Sequence, residues 1–181
     1  MFRLPPSRNM LKAALVAYWV TYALPLPRRL SLKIKPDRIR SAVGIAPKTY
    51  DRARDLMILA YLQAGKYEKA VEGVNRWAAR EENPWILAWR AAVYGRLGHP
   101  SEARRSFARL EQLSDSLSNR TPALLIAYSG MGQNERVIEL LQRAYSARSN
   151  AVVDIKVNPM YDAVRGDARF QNLLQMLGLK G

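Results

Sequence analysis

Between residues 50 and 64 the apolar side chains Ala53, Leu56, Met57, Ala60, Tyr61 and Ala64 recur three and four positions apart. That spacing places them along one stripe of a helix. Gly65 follows at once, and glycine ends helices because it enters the left-handed conformation without a Cβ clash. A second stripe then begins, made of Tyr67, Ala70, Val71, Val74, Trp77 and Ala78. The pattern predicts two helices joined by a tight turn.

The same pattern is written again. Tyr61, Tyr94 and Tyr128 lie 33 and 34 positions apart, and Gly65, Gly98 and Gly132 keep the same steps. So do Ala70, Ala103 and Val137, and then Val74, Phe107 and Leu141. Such a period marks stacked helical hairpins, because no single hairpin can bury its own apolar face. The alanine slot is small where two helices approach closely, and the tyrosine and the Val/Phe/Leu slot fill the wedge between them. The second copy starts near Pro84, a good first-turn residue, breaks at Gly98 and resumes at Pro100. The third is expected to start at Thr121 and Pro122, a cap followed by a first-turn proline. That makes the polar run "SDSLSNR" before it the main internal loop.

These residues resemble the tetratricopeptide repeat (TPR). The Tyr, Gly, Ala and bulky apolar positions hold that family's offsets over about 51–147, most closely in the first two copies. The third departs, with Asn134 where an aromatic is usual and Val137 for alanine, which predicts a looser hairpin. The tail, through "LLQRAYSARS", "IKVNPMYDAVRGDARFQNLL" and the closing "LGL", resembles the C-terminal end of TPR regions in large bacterial signalling proteins and transcriptional regulators. In those proteins the region follows a winged-helix DNA-binding domain, a Ser/Thr kinase or a nucleotide cyclase, none of which fits in the first fifty residues here. Asn158 and Met160 stand where that tail usually has an acidic and a basic residue, so a salt bridge between those two positions is not expected. Physically the tail reads as a capping helix. Asp167 is its N-cap, Phe170, Leu173, Leu174 and Leu177 form its apolar face, and Gly178 ends it.

The resemblance implies an all-α fold: an α-α superhelix (TPR solenoid) of about three hairpins. The repeats would cover about 51–84, 84–117 and 118–150 of a domain at 47–181, with a cap at 151–181. It also implies a concave groove lined by the first helix of each hairpin. The inward positions carried over are Arg52, Asp55, Leu59 and Gln63, then Trp85, Ala88, Trp89, Ala92 and Arg96, then Asn119, Ala123, Ile126 and Ser129. Aromatic and arginine side chains are the usual anchors of interfaces, so Trp85, Trp89, Arg96 and Arg52 are the foremost candidates. For Trp85 and Trp89, packing against the neighbouring hairpin is the open alternative.

The first 46 residues differ in character. From Ala13 to Leu24 only Thr21 is clearly polar, and Pro25 and Pro27 then intervene. A helix at about 10–24 is expected, short of the roughly 20 apolar residues that a bilayer needs. Three readings stay open: a helix packed on the rest of the protein, a short interfacial anchor, or a secretory signal with Arg3, Arg8 and Lys12 before it. As an anchor it would set Trp19 and Tyr22 at headgroup level and Arg28 and Arg29 on phosphates. "LSLKIKP" alternates like a strand and reads as an extended linker.

Charge sharpens this division. The net charge is +14. Residues 1–56 hold twelve Lys/Arg against three acids, and residues 57–181 hold seventeen against twelve. Such a field favours an anionic partner. Arg104, Arg105 and Arg109 form either a basic face or a solvated one. The chain has no cysteine and a single histidine, His99, in an apparent turn. Thiol chemistry, disulfides and multi-histidine metal sites are therefore excluded. No cofactor or enzymatic activity is expected. The expected function is a non-catalytic adaptor that binds a protein or peptide segment in the groove. The alternatives are a membrane-surface adaptor attached through residues 1–40 and, last, nucleic-acid binding through the basic leader. The expected location is the cytoplasm, with association to the inner membrane through the N-terminal segment as the open variant.

Overall fold

The structure is a computed structural model that describes residues 51–113 and 117–179; the side chains at 51–53, 56 and 117–120 are outside the description. The leader helix, the linker, Trp19, Tyr22, Arg28 and Arg29 thus lie outside the described residues. Among those described, every regular element is helical and no strand occurs. The chain divides into two units, 1–64 and 65–181.

In the first unit α1 runs Asp51–Gln63. Its period-3.6 stripe is evident, with Ile58, Ala60 and Tyr61 buried. Gly65 follows with φ +65°.

The second unit opens with α2, Tyr67–Ala78, then α3, Pro84–Leu97, and α4, Pro100–Leu113. The start of α3 is chemically marked. Asn83 accepts a hydrogen bond from the Ile86 N–H at 3.0 Å, and Pro84 occupies the first turn, where its missing N–H costs nothing. Its end is equally marked. Gly98 sits at φ +82°, and His99 N–H donates to the Tyr94 carbonyl at 2.9 Å. That bond satisfies a carbonyl which the helix end would otherwise leave open. The same closure recurs after α5 (Leu117–Gly130), where Gln133 N–H donates to the Tyr128 carbonyl at 2.9 Å beside Gly132.

Helix α5 begins at Leu117, not at Thr121, and Pro122 lies inside it. The described part of the "SDSLSNR" run, 117–120, is helical. Pro122 forfeits only the bond to the Ser118 carbonyl, one turn from a helix end. Polar residues suit an exposed first turn as well as a loop, so the polarity of the run did not separate the two.

The tertiary links follow the repeat period. Helix α2 packs on α3, α3 on α4, α3 on α5, and α5 on α6 (Asn134–Ser146). The tyrosine slots make contacts to the preceding copy's second helix. Asn75 Nδ2 of α2 donates to the Tyr94 hydroxyl at 2.9 Å. The Tyr128 ring tilts against Phe107 of α4 with centroids 5.1 Å apart. These tyrosines lie in the seam between successive hairpins. The alanine-slot residues Ala70, Ala103 and Val137 are all buried. Valine at 137 is accommodated in the third hairpin without exposing it.

Helix α3 is enclosed. Ile86, Leu87, Ala88, Trp89, Ala91, Ala92 and Val93 are all buried, and successive residues of a helix point in every direction around its axis. Its approach to α5 is set by glycine. A Cβ on Gly130 would stand 2.1 Å from Ala92 Cα, and one on Gly95 would stand 2.8 Å from the Gly130 carbonyl oxygen.

Beyond α6 come two 3-10 segments, Asn150–Val152 and Pro159–Val164, and then α7, Ala168–Met176. Asp167 caps α7 by accepting from Arg169 N–H at 2.8 Å. Phe170, Leu173 and Leu174 are buried in one cluster with Val137, Ile138, Leu141 and Ile155, and Leu177 packs on its edge. Gly178 ends the helix at φ +70°. Helix α7 thereby covers the apolar face of α6. The segment before it is pinned by Arg165, whose guanidinium donates to the carbonyls of Lys156 at 2.6 Å and Asn158 at 3.0 Å and to the Asp162 carboxylate at 2.6 Å. Asn158 serves as a cap, accepting from Met160 N–H at 3.0 Å and donating to Asp154 at 2.9 Å.

Two predictions test this packing. Gly130→Ala forces backbone apart at the α3–α5 crossing and should cost about 1–3 kcal/mol in urea unfolding, the usual range for overpacking. Gly166→Ala is the control. A Cβ there meets nothing within 4 Å, and its unfolding midpoint should stay near wild type. Second, Arg148 closes α6 at φ +51°, a conformation that costs a side-chain-bearing residue about 1–2 kcal/mol. Glycine adds about 0.5–1 kcal/mol of chain entropy in return. Arg148→Gly should therefore raise stability by about 0.5–1 kcal/mol, read by the same unfolding curve.

Candidate interaction surface

The groove positions implied by the repeat fall into three groups. The side chains of Arg52 and Asn119 are outside the described residues. Gln63 is exposed at the end of α1, while Asp55 and Leu59 are half-buried. On α3, Trp85 is 38% exposed but Trp89 only 3%. Ala88 and Ala92 are buried, as are Ala123, Ile126 and Ser129 on α5.

The two tryptophans therefore part company. Trp89 belongs to the buried core. Ala92 lies against Gly130 of α5, so this stretch of α3 is covered by its neighbouring helix and is not free lining. Trp85, in the first turn, keeps its ring open to solvent. At the other end of the same stripe Arg96 is exposed and donates from Nη2 to the Ser129 carbonyl at 3.3 Å. Trp85 and Arg96 are eleven positions apart, close to three full turns. They mark the two ends of one helix face, about 16 Å apart along the axis. Arg96 also lies beside the final carbonyls of both α3 and α5, where a cation is favourable.

Among the described residues, two buried side-chain atoms have no hydrogen-bond partner: Ser129 Oγ and Arg90 Nε. Both are on the first helices. An open depression on α6 is lined by Glu139, Gln142, Arg143, Ser146 and Ala147. Its lining side chains include no nucleophile–base pair. Among the described residues no group of His, Asp or Glu is placed to hold a metal ion. His99 is exposed and stacks on Tyr94, with centroids 6.3 Å apart. No described helix is long and apolar enough to cross a membrane.

The most organised polar cluster was not foreseen. Arg169 forks onto both oxygens of Glu135 at 2.8 and 2.9 Å and onto both oxygens of Asp167 at 3.0 and 2.8 Å. It clasps the start of α7 to the start of α6. The side-chain bond from Arg169, then the backbone N–H bond it donates, hold the Asp167 carboxyl down to about 2. Glu135 is lowered by the same guanidinium. Tyr161 is shifted the other way: burial, then the Asp154 charge, pushes its hydroxyl up. The pair Asp167-x-Arg169 was visible in the sequence, but the partner Glu135, 34 positions away, needed the fold.

Comparison with protein-family models, with curated proteins and with solved structures finds no match.

The clasp has a definite pH dependence. Asp167 is depressed below the unfolded value of about 3.9, so the stability it adds is complete above about pH 4. It is lost as pH falls through about 2, where protonation is favoured in the unfolded chain first. Glu135 acts with the same sign. Arg169→Gln should therefore lower the melting temperature at pH 7, and its difference from wild type should shrink steadily between pH 4 and pH 2. A difference that stays constant across that range would assign the loss to packing alone.

Proposed function

We propose that this chain is a non-catalytic protein-interaction module of the tetratricopeptide kind, which takes an extended or helical protein segment against its first helices. The observation that carries the reading is Trp85. It is a large aromatic left open on a helix whose other bulky apolar residues are buried or half-buried. Repetition of the hairpin supports it, since the buried slots at 70, 103 and 137 recur with the period of a stacked array. The exposed Arg96 supplies a polar contact at the far end of the same helix face. An interface of this type draws most of its affinity from one or two aromatic or arginine anchors within a larger, near-neutral contact.

The test is capture from a native lysate with the full chain as bait. Trp85→Ala should reduce recovery of specifically captured partners at least about 30-fold, the loss expected of an anchor worth about 2 kcal/mol. Gln142→Ala, in the open depression on α6, should leave recovery unchanged. Equal recovery by Trp85→Ala, with its melting curve intact, would overturn the proposal.

A further inference from the structure

Acids are divided unevenly between the two kinds of helix. Each second helix of the second unit carries two: Glu68 and Glu72 on α2, Glu102 and Glu111 on α4, Glu135 and Glu139 on α6. Helix α3 carries none, and neither does α5. The charges of α3 are Arg90 and Arg96, and neither stands in an ion pair among the described residues. Arg90 is half-buried, whereas Arg96 is exposed. The acids just before Trp85 are both engaged. Glu81 accepts from Trp77 Nε1 at 3.0 Å, and Glu82 pairs with Arg109 at 2.9 Å.

Arg96 is oriented in advance. Its Nη2 is held by the Ser129 carbonyl, which leaves Nε and Nη1 to donate elsewhere. A guanidinium fixed in this way can meet a carboxylate through paired hydrogen bonds, and it loses little freedom in doing so. Trp85, eleven positions earlier on the same face, offers the opposite chemistry: ring surface that an apolar side chain can cover. Between these ends Ala88, Trp89 and Ala92 are buried, so an occupant is held chiefly at two points.

This arrangement selects the partner. A docked helix needs a continuous apolar groove, which the covered middle of the face does not offer. A nucleic acid strand carries a phosphate at every nucleotide and is gripped by a run of cations, whereas this face of α3 presents Arg96 alone. An extended peptide needs one carboxylate and one apolar side chain. It advances about 3.3 Å per residue, so the span of about 16 Å along the axis takes about five residues. We propose that the partner of this face is an acidic protein segment, bound extended, with an apolar side chain on Trp85 and a carboxylate on Arg96 about five residues away. The proposal rests on the interaction-module reading and names the chemistry of its ligand.

The test is selection of random peptides from a displayed library on the full chain, followed by fluorescence anisotropy with an enriched peptide as the probe. Enriched sequences should place an acid about five positions from an aromatic or aliphatic residue. Changing that acid to its amide in the peptide should weaken binding about fivefold, the upper value for an ion pair open at its edge. Arg96→Gln should weaken binding of the acidic peptide by the same factor, and on that variant the amide peptide should lose nothing more. The peptide change leaves the protein untouched, so its outcome does not depend on how the variant folds. Binders that need Trp85 but have no acid, or whose acid is replaced without loss, would overturn this proposal and leave the module reading standing. A library with no binder that needs Trp85 would overturn both. A single-stranded oligonucleotide bound more tightly than the peptide, with the same loss on Arg96→Gln, would overturn the proposal in favour of nucleic acid.

Discussion

The second unit depends on the enclosure of α3. Three helices, α2, α4 and α5, pack against it, and its residues from Ile86 to Val93 are buried apart from Arg90. Helix α3 can be this apolar because each neighbour covers a different part of its circumference. The close crossing with α5 needs Gly95 and Gly130, since side-chain carbons there would meet backbone at well under contact distance. Each later hairpin is then placed relative to that crossing: α4 through the turn at Gly98, α6 through the turn at Gly132, and α7 through the apolar face of α6.

Much of this was legible in the sequence because the information was periodic. Stripe spacing located α1 and α2, the repeat placed α3, α4 and α6, Gly65 and Gly98 marked the ends of α1 and α3, and the Asp167 cap with its leucines marked α7. Three things were not legible. The start of α5 was misplaced because proline was read as a first-turn residue and polar residues as a loop, although a helix end accepts both. The tight α3–α5 crossing was missed because Gly130 looks like part of the turn around Gly132. Trp85 and Trp89 could not be separated, since both fall on the same stripe and only the position of α5 and the other neighbours decides which one is covered.

Polar interactions divide the labour differently. The repeats are held mainly by apolar seams, with Asn75–Tyr94 as a polar link between copies. The C-terminal part is irregular, and its backbone must find partners outside a regular helix. Arg165 and Asn158 provide them by binding carbonyls and capping a 3-10 segment. The most elaborate hydrogen bonding therefore occurs where the secondary structure is least regular, and the bulk of the hydrophobic burial occurs where it is most regular.

Helix α7 has one further consequence. It occupies the apolar face of α6, and Arg169 locks its leading end with four charge-assisted bonds. A protein of repeated units is in principle open to indefinite lengthening or to end-to-end polymer growth. Here the apolar face of α6 is already taken by an unlike helix, whose outer side shows Arg169, Gln171, Asn172 and Gln175, so a second copy would meet a mainly polar side at that place.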